Sequence, residues 1–171
     1  MAELADVQDL GSCVLGRVGS TPTIRMENSI CSGQCGVRMQ KVTGGLRFMN
    51  SIATDKAPGA IGPYSQGYEV NGIVYTSGQI PVDPATGDIP EGIAAQAAQS
   101  CKNVGAILEA AGSSFGKVIK TTCFLAEMGD FAAFNEVYEK YFVSKPARSC
   151  VAVKELPKGV LCEIEAIALK A

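Results

Sequence analysis

The chain has 171 residues, 47% of them hydrophobic and 19% charged, with a formal net charge of −2. Those values fit one globular domain with a real core and exclude a disordered chain, and the slight acidity offers no field to draw in nucleic acid. Histidine is absent, which removes Ser-His-Asp and Cys-His nucleophile pairs, histidine-ligated metals and a histidine general base.

Residues 1–48 hold four of the five arginines, seven glycines and a single aromatic, Phe48, with no sustained period. A continuous apolar signal core is missing, and Glu3, Asp6 and Asp9 argue against a mitochondrial leader. We expect a poorly ordered extension, either sequence upstream of a natural start at Met49 or a processed leader, followed by one domain over 49–171. Cys31-x3-Cys35 has no partner pair to complete four ligands, so no metal site is expected. Seven cysteines, an odd number set in apolar patterns, suit a reducing compartment and hence the cytoplasm. No apolar run approaches the length that spans a membrane.

From Met49 the pattern becomes regular. Pro58 to Gln66 is a turn-rich lead-in that presents Tyr64. Gly67–Val70 and Ile73–Ser77 flank Asn71-Gly72, a hairpin signal because both turn positions need positive φ. Residues 92–111 carry Ile93, Ala97, Cys101, Val104, Leu108 and Ala111 at three- and four-residue steps, a helix stopped by Gly112. Lys117–Ala126, rich in Val, Ile, Thr and Phe, is expected as a strand. Asp130 is placed to cap a second helix whose Phe131, Phe134, Tyr138 and Tyr141 share one side, read as core, while Asn135 points elsewhere.

Two strands close the chain. In residues 160–169 the even positions are apolar or small, and the odd positions carry Glu163 and Glu165 between Leu161 and Ile167. Lys154 to Gly159 is expected as a hairpin connection; centred on Leu156-Pro157, it would set Cys150 opposite Glu163 and Arg148 opposite Glu165, on one face. Of the ten cations from Met49 onward nine are lysines, and Arg148 is the exception. A planar guanidinium is suited to gripping a carboxylate with two hydrogen bonds, and the other reading is an ion pair with Glu163 or Glu165. The order strands, helix, strand, helix, strands gives an α+β fold with a mixed sheet and both helices on one face. The apolar Leu161, Ile167 and Leu169 on the other face point to self-association.

The residues from Met49 to Ala171 resemble the RidA (YjgF/YER057c/UK114) family, in its enamine/imine deaminase branch. The resemblance rests on Ala57-Pro-Gly-Ala-Ile-Gly-Pro-Tyr-Ser-Gln66, Thr76-Ser-Gly-Gln-Ile-Pro81, Asn103-Val104, Lys120-Thr-Thr122, Pro146-Ala-Arg-Ser-Cys-Val151 and Glu163-Ile-Glu-Ala-Ile-Ala168, in that order. The connection Phe142 to Pro146 departs from it by being shorter than in some members. The resemblance implies a chorismate-mutase-like fold and a homotrimer with active sites between subunits. It implies hydrolysis of 2-aminoacrylate and related 2-imino acids, released by pyridoxal-phosphate enzymes, to 2-keto acids and ammonia, with no cofactor and no metal. Carried over, Arg148 binds the substrate carboxylate, Glu163 positions water and Cys150 lies beside the substrate. Tyr64, Ser77, Gly78 and Asn135 match wall and hydrogen-bonding positions. A different class of role, a binding or regulatory protein acting as a redox-sensitive holdase or an RNA-directed translation inhibitor, is also attributed to this family. The acidic, histidine-free chain is poorly suited to cleaving RNA.

Overall fold

The computed structural model describes residues 37–42 and 45–171, with side chains from Met49 onward. The expectations for residues 1–36, including Cys31-x3-Cys35, lie outside the described residues. The strands are β1 (Val37–Val42), β2 (Gly45–Ile52), β3 (Gly67–Val70), β4 (Ile73–Thr76), β5 (Val118–Leu125), β6 (Ala147–Ala152) and β7 (Cys162–Leu169). The helices are α1 (Ile93–Ala110) and α2 (Phe131–Tyr141). The strands form one sheet in the order β1-β2-β3-β4-β7-β5-β6, antiparallel except for the parallel pair β5–β6. The boundary expected at Met49 falls inside β2, so the hydrogen-bonded sheet begins upstream of it.

Local chemistry accounts for most elements. Asn71 and Gly72 take φ of 53° and 77°, the left-handed pair that a tight β3–β4 turn requires. Helix α1 buries Ala97, Cys101, Val104 and Leu108 completely, the stripe expected from the sequence. It ends at Gly112, whose φ of 73° an L side chain would resist. Asp130 precedes α2 as expected but makes no side-chain cap bond; a 3₁₀ turn over Met128–Asp130 leads straight into the helix. The two helices pack on each other and share one core with the even positions of β7, Cys162, Ile164, Ala166 and Ala168, each no more than 2% exposed.

The expected β6–β7 hairpin is overturned. Strand β5 lies between them, parallel to β6 and antiparallel to β7. A parallel β5–β6 pair needs a crossover, and α2 provides it. The apolar even face of β7 meanwhile packs against α1 from inside the sheet. The segment after β6 therefore does not turn tightly. It carries a 3₁₀ turn over Pro157–Gly159 past the end of β5, where Val153 N–H donates to Leu125 O and Ala126 N–H donates to Leu161 O, both at 2.9 Å.

Candidate functional site

The register across the last three strands decides which side chains meet. Ala166, Thr121 and Arg148 form one row, and Ile164, Cys123 and Cys150 the next; both rows face the helices. Glu165, Thr122 and Ser149 form a row on the other face, as do Glu163, Phe124 and Val151. The Arg–Glu–Cys cluster expected on one face does not exist within the chain. Arg148 and Cys150 stay together, and Glu163 and Glu165 lie two strands away on the opposite side.

On the helix side, Arg148 Nη1 donates to Asn135 Oδ1 at 2.8 Å. Its guanidinium carbon lies 4.7 Å from the Tyr138 ring centroid and 5.5 Å from that of Phe131. The one ion pair among the described residues joins Lys170 and Glu69, so Arg148 has no acidic partner among them. The ion-pair reading of Arg148 with Glu163 or Glu165 is thereby excluded within the chain. Burial pushes the Cys150 thiol up, and the nearby Arg148 charge only partly opposes this. Its thiolate is scarce, which disfavours a covalent nucleophile.

On the other face, Gly78-Gln79 pairs with β7, Gln79 N–H donating to Ile164 O at 2.8 Å and Gln79 O accepting from Ile164 N–H at 3.2 Å. That pairing sets Gly78 against Glu163, and a Cβ added at Gly78 would overlap the Glu163 carboxylate. Burial, then the negative charge of Glu165, raise the Glu163 carboxyl above the usual carboxylate range. Ser77 contributes its hydroxyl internally, donating to Ser65 O at 2.6 Å, and so steadies the segment bearing Tyr64. Buried Gln66 pins the same lead-in: its Oε1 accepts from Thr54 N–H and its Nε2 donates to the carbonyls of Thr54, Ala57 and Pro58. Half-exposed Tyr64 and Gly78 border a cavity of about 230 Å³ whose apolar wall includes Ile61, Ile80 and Val82.

The predicted residues therefore fall into two groups, Arg148 with Asn135 and Cys150, and Glu163 with Gly78, Ser77 and Tyr64. Sequence reasoning missed Phe131, Tyr138 and Thr121 as the surroundings of Arg148. The signal was present in the aromatic stripe of α2, which a parallel β5–α2–β6 crossover lays over the strand holding the sole arginine from Met49 onward. Among the described residues no three His, Cys, Asp or Glu side chains cluster as a metal site, and no helix is long and apolar enough to cross a membrane.

A family model described as Endoribonuclease L-PSP matches residues 54–170. The 2-iminobutanoate/2-iminopropanoate deaminase of Escherichia coli (strain K12) is 53% identical over 124 residues, covering 70% of this chain and 97% of that protein. The protein of the same description from Salmonella typhimurium is 54% identical with the same coverage. Among solved structures, Escherichia coli TdcF with bound serine superposes with a TM-score of 0.69 at 52% identity, over 71% of this chain and 99% of that one. Yeast Mmf1 does so with a TM-score of 0.70 at 43% identity, over 72% and 99%.

Proposed function

The chain belongs to the RidA/YjgF family, whose model is described as Endoribonuclease L-PSP, and on that premise we propose that it is an enamine/imine deaminase. It hydrolyses 2-aminoacrylate and related 2-imino acids to 2-keto acids and ammonia, in a catalytic domain over 49–171. The observation that carries this reading is Arg148: a guanidinium set on aromatic faces beside an amide oxygen, with no acidic partner among the described residues. A charge so placed is free to bind the carboxylate of a small substrate. The serine held by TdcF, itself a carboxylate, supports a ligand of that kind.

The chemistry asks little more. The enamine tautomerises to an imine, already electrophilic at C2. Arg148 holds the carboxylate, and Glu163 orients a water and takes its proton as the oxygen adds to C2. Glu163 returns that proton to nitrogen, the hydroxyl proton of the tetrahedral adduct follows, and the carbon–nitrogen bond breaks to release ammonia and leave the 2-keto acid. Holding substrate and water together removes much of the entropic barrier. Tyr64, Ser77, Gly78, Asn135 and Cys150 are the proposed walls of this site.

Arg148 and Glu163 lie on opposite faces, two inter-strand spacings or about 9.6 Å apart across the strands, and Glu163 is displaced further along β7 from the row of Arg148. A single small substrate is therefore proposed to lie between copies, in a homotrimer. The exposed Tyr75, Val151 and Leu169 on the glutamate-bearing face support such packing. Ammonia release from imines generated in situ by an amino-acid oxidase tests the proposal. Acceleration over spontaneous hydrolysis is expected, lost in Arg148→Ala. A holdase or RNA-directed effect that survives Arg148→Ala, without such acceleration, would favour the regulatory role.

A further inference from the structure

An arginine that binds a carboxylate through two parallel hydrogen bonds is useful only if the plane of its guanidinium is fixed. Arg148 is on an edge strand and is partly buried. Asn135 holds one of its nitrogens, which fixes a point but not a plane. The plane is set by what lies beneath it, chiefly the Tyr138 ring at 4.7 Å.

That ring is fixed on several sides. It stacks on Phe142 with centroids 4.3 Å apart and 20° between planes, and meets Phe134 at 5.8 Å. Its hydroxyl shares a 2.7 Å hydrogen bond with Thr121 Oγ1. Thr121 is 1% exposed and is the β5 residue directly beside Arg148 in the parallel register. One threonine thus borders Arg148 through the backbone and anchors the platform under its side chain. A core position of this shape is filled equally well by phenylalanine, without a phenol and a threonine that must satisfy each other. Packing alone therefore does not account for the pair.

We propose that Tyr138, anchored by Thr121, is a positioning residue that orients the Arg148 guanidinium toward the substrate carboxylate, a role that rests on Arg148 binding that carboxylate. Tyr138 touches no reacting atom. Its effect reaches the reaction through the geometry of the arginine, and so appears in substrate affinity rather than in the chemical step.

The test is steady-state ammonia release from the imine of 2-aminobutanoate, above the spontaneous rate, with melting temperature and assembly state followed in parallel. Thr121→Val keeps the shape but removes the hydroxyl, and Tyr138→Phe removes the other end of the same bond. Each is expected to raise KM roughly 3–10-fold with kcat changed less than about twofold, and Thr121→Ser to restore the original KM. Tyr138→Leu, which removes the ring, is expected to raise KM roughly 10–30-fold. Should Tyr138→Leu fail to fold, Thr121→Val against Thr121→Ser still decides. Unchanged KM in folded Thr121→Val and Tyr138→Phe, or a fall confined to kcat, overturns the positioning role. Arg148→Ala separates the two levels. If it abolishes the acceleration or raises KM while the Thr121 and Tyr138 variants leave KM unchanged, only the positioning role falls. If it leaves both the acceleration and KM unchanged, the carboxylate-binding reading falls and the positioning role with it.

Discussion

Glu163 sits where burial and the carboxylate of Glu165 both disfavour its charged form. In its proposed role as the base that takes a proton from water, it must be ionised, so kcat/KM should fall as pH drops through its raised pKa. The acid limb is expected above the range of an ordinary glutamate. Glu165→Gln removes one of the two causes and should move that limb to lower pH while leaving most of the turnover. Glu163→Gln should lower turnover by about 10²–10⁴-fold, the usual worth of a general acid–base group. The stability effect has the opposite sign. A carboxyl whose folded pKa is raised stabilises the fold at low pH, and that contribution is lost as pH rises through the folded value. At neutral pH the ionised Glu163 works against folding, so Glu163→Gln should melt no lower than the parent and somewhat higher. Melting and ammonia release on the same preparations check both. A dead Glu165→Gln beside an active Glu163→Gln would reverse the roles.

Helix α1 shows how packing overrules local propensity. Gly105 lies in its interior, where alanine is ordinarily better by about 1 kcal/mol. A Cβ there would come within 2.8 Å of the Phe115 ring, which is itself held edge-on against Phe142 at 5.1 Å. Overpacking costs about 1–3 kcal/mol, so Gly105→Ala is expected to lower the melting temperature despite the better helix former. The same distinction explains what the sequence disclosed. Asn71-Gly72 dictates its own turn, and the stripe from Ala97 to Leu108 dictates its own buried face; both are local properties and both were legible. The alternation along β7 correctly announced that Cys162, Ile164 and Ala166 are buried in the core and that the partly buried glutamates lie on the other face. It carries no information about which strand lies alongside, because any neighbour leaves the period of two unchanged. The β6–β7 hairpin was the shortest connection, and the α2 crossover displaced it. For the site, residue types were readable at Arg148 and Glu163, whereas their separation onto opposite faces was not. Tyr138 stayed hidden because a ring that serves the core and a ring that carries a guanidinium leave the same trace in the helical period.

For the whole molecule, the separation of Arg148 from Glu163, with the roles proposed for them, should let two inactive variants repair each other. Arg148→Ala copies retain Glu163, and Glu163→Gln copies retain Arg148. When the two are denatured together and refolded at equal amounts, about a quarter of the interfaces in a cyclic assembly should pair an intact arginine with an intact glutamate. Ammonia release should return to about that fraction of the parent's. A site contained in one chain would give no recovery at all. The row pattern that puts Ser149 in the row of Glu165 and Arg148 in the row of Ala166 has a consequence for the protein at low abundance. With the proposed roles of Arg148 and Glu163, one copy alone would not both grip and hydrolyse a substrate, so dilution should silence the enzyme while each chain remains folded. The amount of protein present would then set not only how many sites exist but whether any exist, and output would rise more steeply than in proportion to expression.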